Sequence, residues 1–543
     1  MTTPSESQPP PGDQPPGGQP GSPPPGYRPP PPDYRVLGQP TGGWPVVPPQ
    51  RHGPPPGYPP QGRPPGHQPA GYQPPGLQPP GFPPQQFRPV RPAPVPVSAP
   101  VDPAAYRVGR LAVAFGVCGV VLLLIALAAG AAIIRDDDPT LSGFGIVNLV
   151  VIALVLIGAI IGAIVVMTIA LSGGSTRTRW RALAISGGVV FGLPAFLMLL
   201  ILLLEAGISW RGALLSIPTT TFALWTFRRM QRNRKPPWWL VLAAFGWGSV
   251  VSSYFAQIVE GMLHAVIRSE VQPGTAAIVG HAAAAAFPEE FVKASGVVVL
   301  VLLCRRRIDG MLSGLVIGAC VGLGFQFAES MSYMTQGLDS VLYQHWYRQV
   351  TGLLVSHATY AGIIGAGVGL ATQLKDWPRR IMVATGGLLF AIAAHLVWDF
   401  CAMGHFYWES SDANVQLFII QPANLIVLKG PAFLVLLTLV IVALRQETRS
   451  LHRQLRAEAA NRLGAVTPDE VSLLLNASRR FRLRLRTLRE GSFAAYQQIK
   501  RLHTAQLELA FTRWRRERGE SAPPGTEEAL RQRIYRLKAA APA

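Results

Sequence analysis

The feature that most limits how this chain can fold is a succession of long apolar runs between residues 106 and 443. A helix needs about 20 apolar residues to cross roughly 30 Å of hydrocarbon, and within lipid the backbone must satisfy its own hydrogen bonds. Ten runs meet or approach that length, at about 108–134, 143–171, 182–204, 211–227, 238–259, 275–304, 311–332, 351–373, 381–404 and 415–443. The expected fold class is all-α, a polytopic transmembrane helix bundle of about ten spans. The run at 211–227 is the shortest. The run at 275–304 is long and contains Pro288, which predicts a kink or a tilt.

Charge between the runs tests this count. Segments after even-numbered runs carry Arg177, Arg179 and Arg181; Arg228, Arg229, Arg232, Arg234 and Lys235; Arg305, Arg306 and Arg307; and Lys375, Arg379 and Arg380. Segments after odd-numbered runs are acidic, aromatic or nearly neutral, as in Asp136-Asp137-Asp138 and His405 to Asp412. This alternation follows the positive-inside rule. It predicts a multi-pass protein of the plasma membrane with both termini cytoplasmic. The net charge of +20 would otherwise suggest nucleic acid, but its placement points to the lipid bilayer, and no nucleic-acid partner is expected. The four cysteines show no metal-type or disulfide spacing. No apolar signal-like segment occurs in the first 100 residues, so no cleavable signal peptide is expected.

The flanks differ from the membrane domain, 106–443. Residues 1–105 repeat units such as Pro24-Pro25-Gly26-Tyr27 and Pro79-Pro80-Gly81-Phe82, a composition expected to remain disordered. Residues 444–543 form a basic helical tail. Thr467-Pro468-Asp469-Glu470 is a helix start, continuing through the Arg-rich stretch Arg479 to Arg489. A second helix is expected from about Ser492 to Arg516, packed on the first as a hairpin. The Arg-rich face suits either solvent or anionic lipid heads.

Charges buried among apolar runs are costly and usually functional. The sixth run carries Glu289, Glu290 and Lys293, the seventh Glu329, the eighth His357, and the ninth His395 and Asp399. Glu290 and Lys293 share a helix face, as do His395 and Asp399. By the predicted topology all seven lie at one depth, in the outer half of the bilayer. Such a set suits hydrolysis: one glutamate can move a proton from water to a leaving amine, and histidines with carboxylates can hold a metal or stabilise an oxyanion.

Three motifs carry a family resemblance. Glu289-Glu290-Phe291-Val292-Lys293 matches EExxK, Phe325-Gln326-Phe327-Ala328-Glu329 matches FxxxE, and His395-Leu396-Val397-Trp398-Asp399 matches HxxxD. In this order, on separate runs, they resemble the PrsW intramembrane proteases, relatives of the CAAX-processing and bacteriocin-processing membrane proteases. The resemblance covers about 238–404. It implies an intramembrane peptidase acting on a membrane-anchored protein substrate, and family members are known for first-site cleavage of membrane-anchored anti-sigma factors. It also implies a catalytic set of Glu289, Glu290, Lys293, Glu329, His357, His395 and Asp399. His357, His395 and Glu329 are the candidate metal ligands. Zinc is compatible with them, although no HExxH motif occurs, and a metal-free glutamate mechanism is the other possibility. Outside the family reading, buried Glu, His and Lys groups also build proton- or ion-coupled transporters. No internal repeat between the two halves supports that alternative, and a non-catalytic scaffold leaves the buried charges unexplained.

Overall fold

The computed structural model describes residues 210–335, 341–461, 463–520 and 525–540, with a few isolated positions upstream. The expectations for 1–105 and for the runs at 108–134, 143–171 and 182–204 lie outside the described residues, those isolated positions excepted. Among the described residues every regular element is helical. Four helical stretches are long and apolar enough to cross a membrane: Trp238–Glu270, Met311–Met334, Trp377–Met403 and Gly430–Ala460.

Helix α1, Trp210–Met230, buries Gly212, Ser216, Thr220, Ala223, Leu224 and Phe227, spaced so that they form one stripe. Trp238–Gly246 (α2) continues through a π-turn, Trp247–Ser252, into Ser253–Glu270 (α3). Thr275–Leu303 is α4. Its length matches that of a span, but it carries Glu289, Glu290 and Lys293, all buried. Pro288 lies inside α4 and supplies no amide to the turn before it, immediately ahead of Glu289.

The centre of the bundle is α5, Met311–Thr335. Its packing against α6, His357–Ala371, depends on small residues. A Cβ at Gly318 would run into the Ala361 carbonyl, and one at Gly322 into the His357 carbonyl. Without side chains at these positions the two backbones touch, as small-residue stripes allow between membrane helices. That contact fixes where His357 sits.

Two expected runs are divided. The run at 351–373 is not helical in its first turns: a π-turn, His345–Thr351, precedes residues 352–356, and α6 begins only at His357. At 15 residues α6 spans about 22 Å, less than the hydrocarbon thickness. Irregular backbone at membrane depth persists only where protein covers it, and here Leu353, Ser356 and His357 are buried. The run at 415–443 is likewise two elements. Gln421–Leu428 (α8) ends at Lys429, and Gly430–Ala460 (α9) runs unbroken past residue 443 into the tail. Between them, α7 is Trp377–Met403, started by Asp376 and Pro378.

The outer surface of these helices is apolar. Leu214, Phe222, Leu242, Phe291, Leu389 and Leu434 are exposed while the glutamates and lysine are inside. Exposed apolar patches of this extent mark a lipid-facing surface, so this is a membrane protein.

The tail contains four helices rather than a simple hairpin: Pro468–Leu475 (α10), Ala477–Glu490 (α11), Phe493–Glu517 (α12) and Thr526–Ala539 (α13). Thr467 and Glu470 form the capping box that starts α10. The expected first helix is broken at Asn476, whose side chain instead caps α11 by accepting from the Arg479 amide at 3.0 Å. Leu451 and Leu455 of α9 pack with Val471, Leu474, Leu507, Phe511 and Trp514, so the core of the tail is built on the end of the last membrane helix.

Candidate active site

Each ionisable side chain expected from the sequence enters one connected cluster. Lys293 donates to Glu289 Oε2 and to Glu290 Oε1, both at 2.8 Å. One turn of α4 places these three groups together, at spacings of three and four residues. The Lys293 ammonium also lies 2.9 Å from His357 Nδ1. An ammonium can only donate, so Nδ1 accepts, and Nε2 carries the hydrogen given to Glu329 Oε2 at 2.8 Å. On the other side, His395 Nδ1 lies 2.9 Å from Glu290 Oε1, and its Nε2 is 3.3 Å from Asp399 Oδ2. The second contact is an ion-pair distance that is out of line for a hydrogen bond, and Asp399 Oδ2 has no hydrogen-bond partner.

The arrangement has a repeated logic. Each histidine turns Nδ1 toward the glutamate pair and Nε2 toward a carboxylate behind it, Glu329 or Asp399. Carboxylates in that position fix the tautomer and orientation of an imidazole, whether it serves a metal or a proton. Four helices supply the parts: α4 the glutamates and lysine, α5 Glu329, α6 His357, and α7 His395 and Asp399. His357 is held from below by the glycine contact of α5. His395 is flanked by Tyr360, with ring centroids 5.1 Å apart.

Glu289, Glu290, His357 and His395 each offer a ligand atom, and these atoms lie within 4.8 Å of one another. Two imidazole nitrogens and carboxylate oxygens are donors that zinc accepts. Two observations show that the pocket suits a cation: the Lys293 ammonium already sits among three of the four groups, and Glu290 Oε2 is buried without a partner. Glu329, expected as a ligand beside His357 and His395, lies outside this group because its contact is with the far nitrogen of His357. It is also paired with Arg348 at 3.0 Å. Glu289 and Glu290 lie within the group instead.

Three further residues belong to the neighbourhood. Arg348 lies between the seventh and eighth runs, and the π-turn His345–Thr351 brings it to Glu329. Lys429 is buried, donates to Ser356 Oγ at 2.8 Å, and lies 3.9 Å from the Trp398 ring centroid. As a lone charge within an apolar run, it carried the same signal as Glu329. Tyr360, buried with its hydroxyl unpartnered, gave no signal in sequence.

Carboxylates, an ammonium and two imidazoles are thus gathered among the apolar helices of the bundle. Residues 236–428 match the model of the PrsW family intramembrane metalloprotease. Residues 236–428 are therefore a PrsW-type intramembrane protease segment, and the protein is an intramembrane peptidase, acting on membrane protein in a lipid bilayer. The family match sets aside the transporter reading. No curated protein and no solved structure matches the chain.

Proposed function

We propose that this protein hydrolyses a peptide bond in or next to the membrane segment of a membrane-anchored protein, with Glu290 as the proton acceptor. The observation that supports this most is the asymmetry of one carboxylate: Oε1 is held by Lys293 and His395, whereas Oε2 is buried and unpartnered. A water at Oε2 would give up its proton as its oxygen bonds the scissile carbonyl carbon. The same carboxyl then returns a proton to the leaving nitrogen, so one water is consumed and Glu290 is regenerated. Lys293 balances the charge of the glutamate pair. Glu329 and Asp399 orient His357 and His395.

Glu289, His357 and His395 would hold a metal ion, a two-histidine, one-glutamate set of the kind that leaves a position for water. Such an ion supplies polarisation of the carbonyl and a more acidic water. Zinc fits this set best by donor chemistry. The alternating basic segments support ten spans in the plasma membrane, with the Pro-rich segment 1–105 and the basic tail 444–543 both cytoplasmic. The family resemblance suggests an anti-sigma-factor-like regulator as substrate.

The test is to incubate the purified protein in detergent with a single-pass substrate and to map the product termini by mass spectrometry. New termini inside the apolar segment, or within a few residues of it, are expected. Cuts confined to the soluble part of the substrate would overturn the proposal.

A further inference from the structure

The segment between α1 and α2 and the Arg-rich helix α11 meet at a junction where positive charge is gathered without compensation. Arg480 reaches across to the Arg232 carbonyl at 3.1 Å and to Asn233 Oδ1 at 2.8 Å, which seats α11 on residues 231–237. The charged neighbours of Lys235 are Arg229, Arg228, Arg484 and Lys500, all of one sign. Burial and then Arg484 lower Arg480 to about 10, with Glu447 as its one opposing charge. Glu447 makes no ion pair with Arg480; it accepts from Asn233 at 2.8 Å, the same side chain that accepts from Arg480.

Among the described residues, no carboxylate forms an ion pair with Arg228, Arg229, Lys235, Arg480, Arg484 or Lys500. The Arg484 Nε is buried with no acceptor at all. The adjacent contact between tail and bundle is different. There Arg234 pairs with Asp309 at 2.6 Å and Glu508 at 3.0 Å, and Arg305 pairs with Glu520 at 2.8 Å. The same two parts of the molecule thus neutralise one contact and leave the other open to an anion.

Position identifies the anion. The span Trp238–Glu270 begins immediately after residues 231–237. Trp225, Trp238 and Trp239 are exposed there, with Arg228 over the Trp238 ring at 4.6 Å and Arg229 over Trp225 at 5.1 Å. Exposed tryptophans at a span end sit at the lipid headgroup level. On α11 and its exit, Phe481 and Phe493 are exposed beside Arg479, Arg482 and Arg489, the mixture of apolar and basic groups that enters the headgroup zone.

We propose that this junction, formed by residues 228–235 with α11 and the start of α12, binds the phosphate headgroup of an anionic phospholipid. The lipid's phosphodiester sits against Arg484, Lys235 and Lys500, and its chains run into the bilayer past Trp238. The site thereby ties the tail to the leaflet that it faces.

The experiment measures thermal unfolding of the full-length protein in neutral detergent with added short-chain phosphatidylglycerol, phosphatidylcholine or inorganic phosphate. Phosphatidylglycerol is expected to raise the Tm in a salt-sensitive manner; the other two are not. The double variant Arg484→Gln/Lys500→Gln should keep the lipid-free Tm and bind phosphatidylglycerol roughly 30-fold more weakly. Arg484→Lys, which keeps the charge, should retain the rise. No rise in the wild type, an equal rise in the double variant, or an equal rise with phosphate alone would each overturn the proposal.

Discussion

The membrane bundle and the tail both gather charge, but they place it oppositely. In the bundle, Glu289, Glu290 and Lys293 are inside and leucines and phenylalanines face outward. In the tail the apolar core of Leu451, Leu474, Phe511 and Trp514 is inside, and exposed charges pair at the surface, as Arg453 with Glu517 and Arg486 with Glu490. The physics of a single charge differs accordingly. A buried ion without its partner is strongly destabilising, whereas an exposed pair contributes little. The bundle can therefore hold reactive groups only as a connected set, while the exposed pairs of the tail can be lost with little effect.

That contrast is broken most easily at Lys293. Lys293→Met leaves two buried carboxylates without their counter-charge and should lower stability by about 3–5 kcal/mol. Thermal unfolding in detergent reads this, and added zinc should restore part of the loss. A Tm unchanged from wild type would mean that the carboxylates are not held as a charged pair. The next effect lies behind the histidines. Asp399→Asn should weaken metal affinity by about 10–100-fold with the fold retained, measured by competition with a zinc chelator.

In the tail, pH is the sharper probe. His503 of α12 is buried beside Arg484 and Arg480 of α11, with Glu470 of α10 opposing them. Burial first, then the two arginines, hold it down at about 4, against an ordinary 6.5. The unfolded chain thus binds a proton that the folded tail refuses between these values. The stability contribution is complete above pH 6.5 and is lost as pH falls from 6.5 to 4. Hydrogen exchange of α12 should show that loss, and His503→Gln should flatten it. The smallest effect is expected at exposed pairs: Arg379→Gln, which removes a contact of 3.3 Å to Asp376, should change stability by less than about 1 kcal/mol.

What could be read from the sequence follows the same division. The ionisable groups of the site stood out because a charge in an apolar run is rare and costly, and the spacing on α4 and α7 already put partners on one face. The breaks were hidden. Residues 352–356 sit in an apolar stretch that reads as continuous helix, and the contact of Gly322 with the His357 carbonyl at the start of α6 joins residues far apart in the chain. The interruption at Lys429 was readable as a charge, but apolarity on both sides merged α8 with α9. In the tail, Thr467 and Glu470 gave the start of α10 through local capping chemistry. The break at Asn476 is local too, since its side chain caps α11, but the helix Thr526–Ala539 and the seating of α11 on residues 231–237 depend on partners far away in the chain.

The central claim is that one buried carboxylate of a connected cluster moves the proton in peptide hydrolysis. Turnover of a single-pass substrate by Glu290→Gln protein, compared with wild type at equal folded concentration, tests it most directly. The substitution keeps the shape of the side chain and removes the proton acceptor. Turnover should fall by about 10²–10⁴-fold with the Tm close to that of wild type. Cleavage at the wild-type rate by folded Glu290→Gln protein would contradict the account.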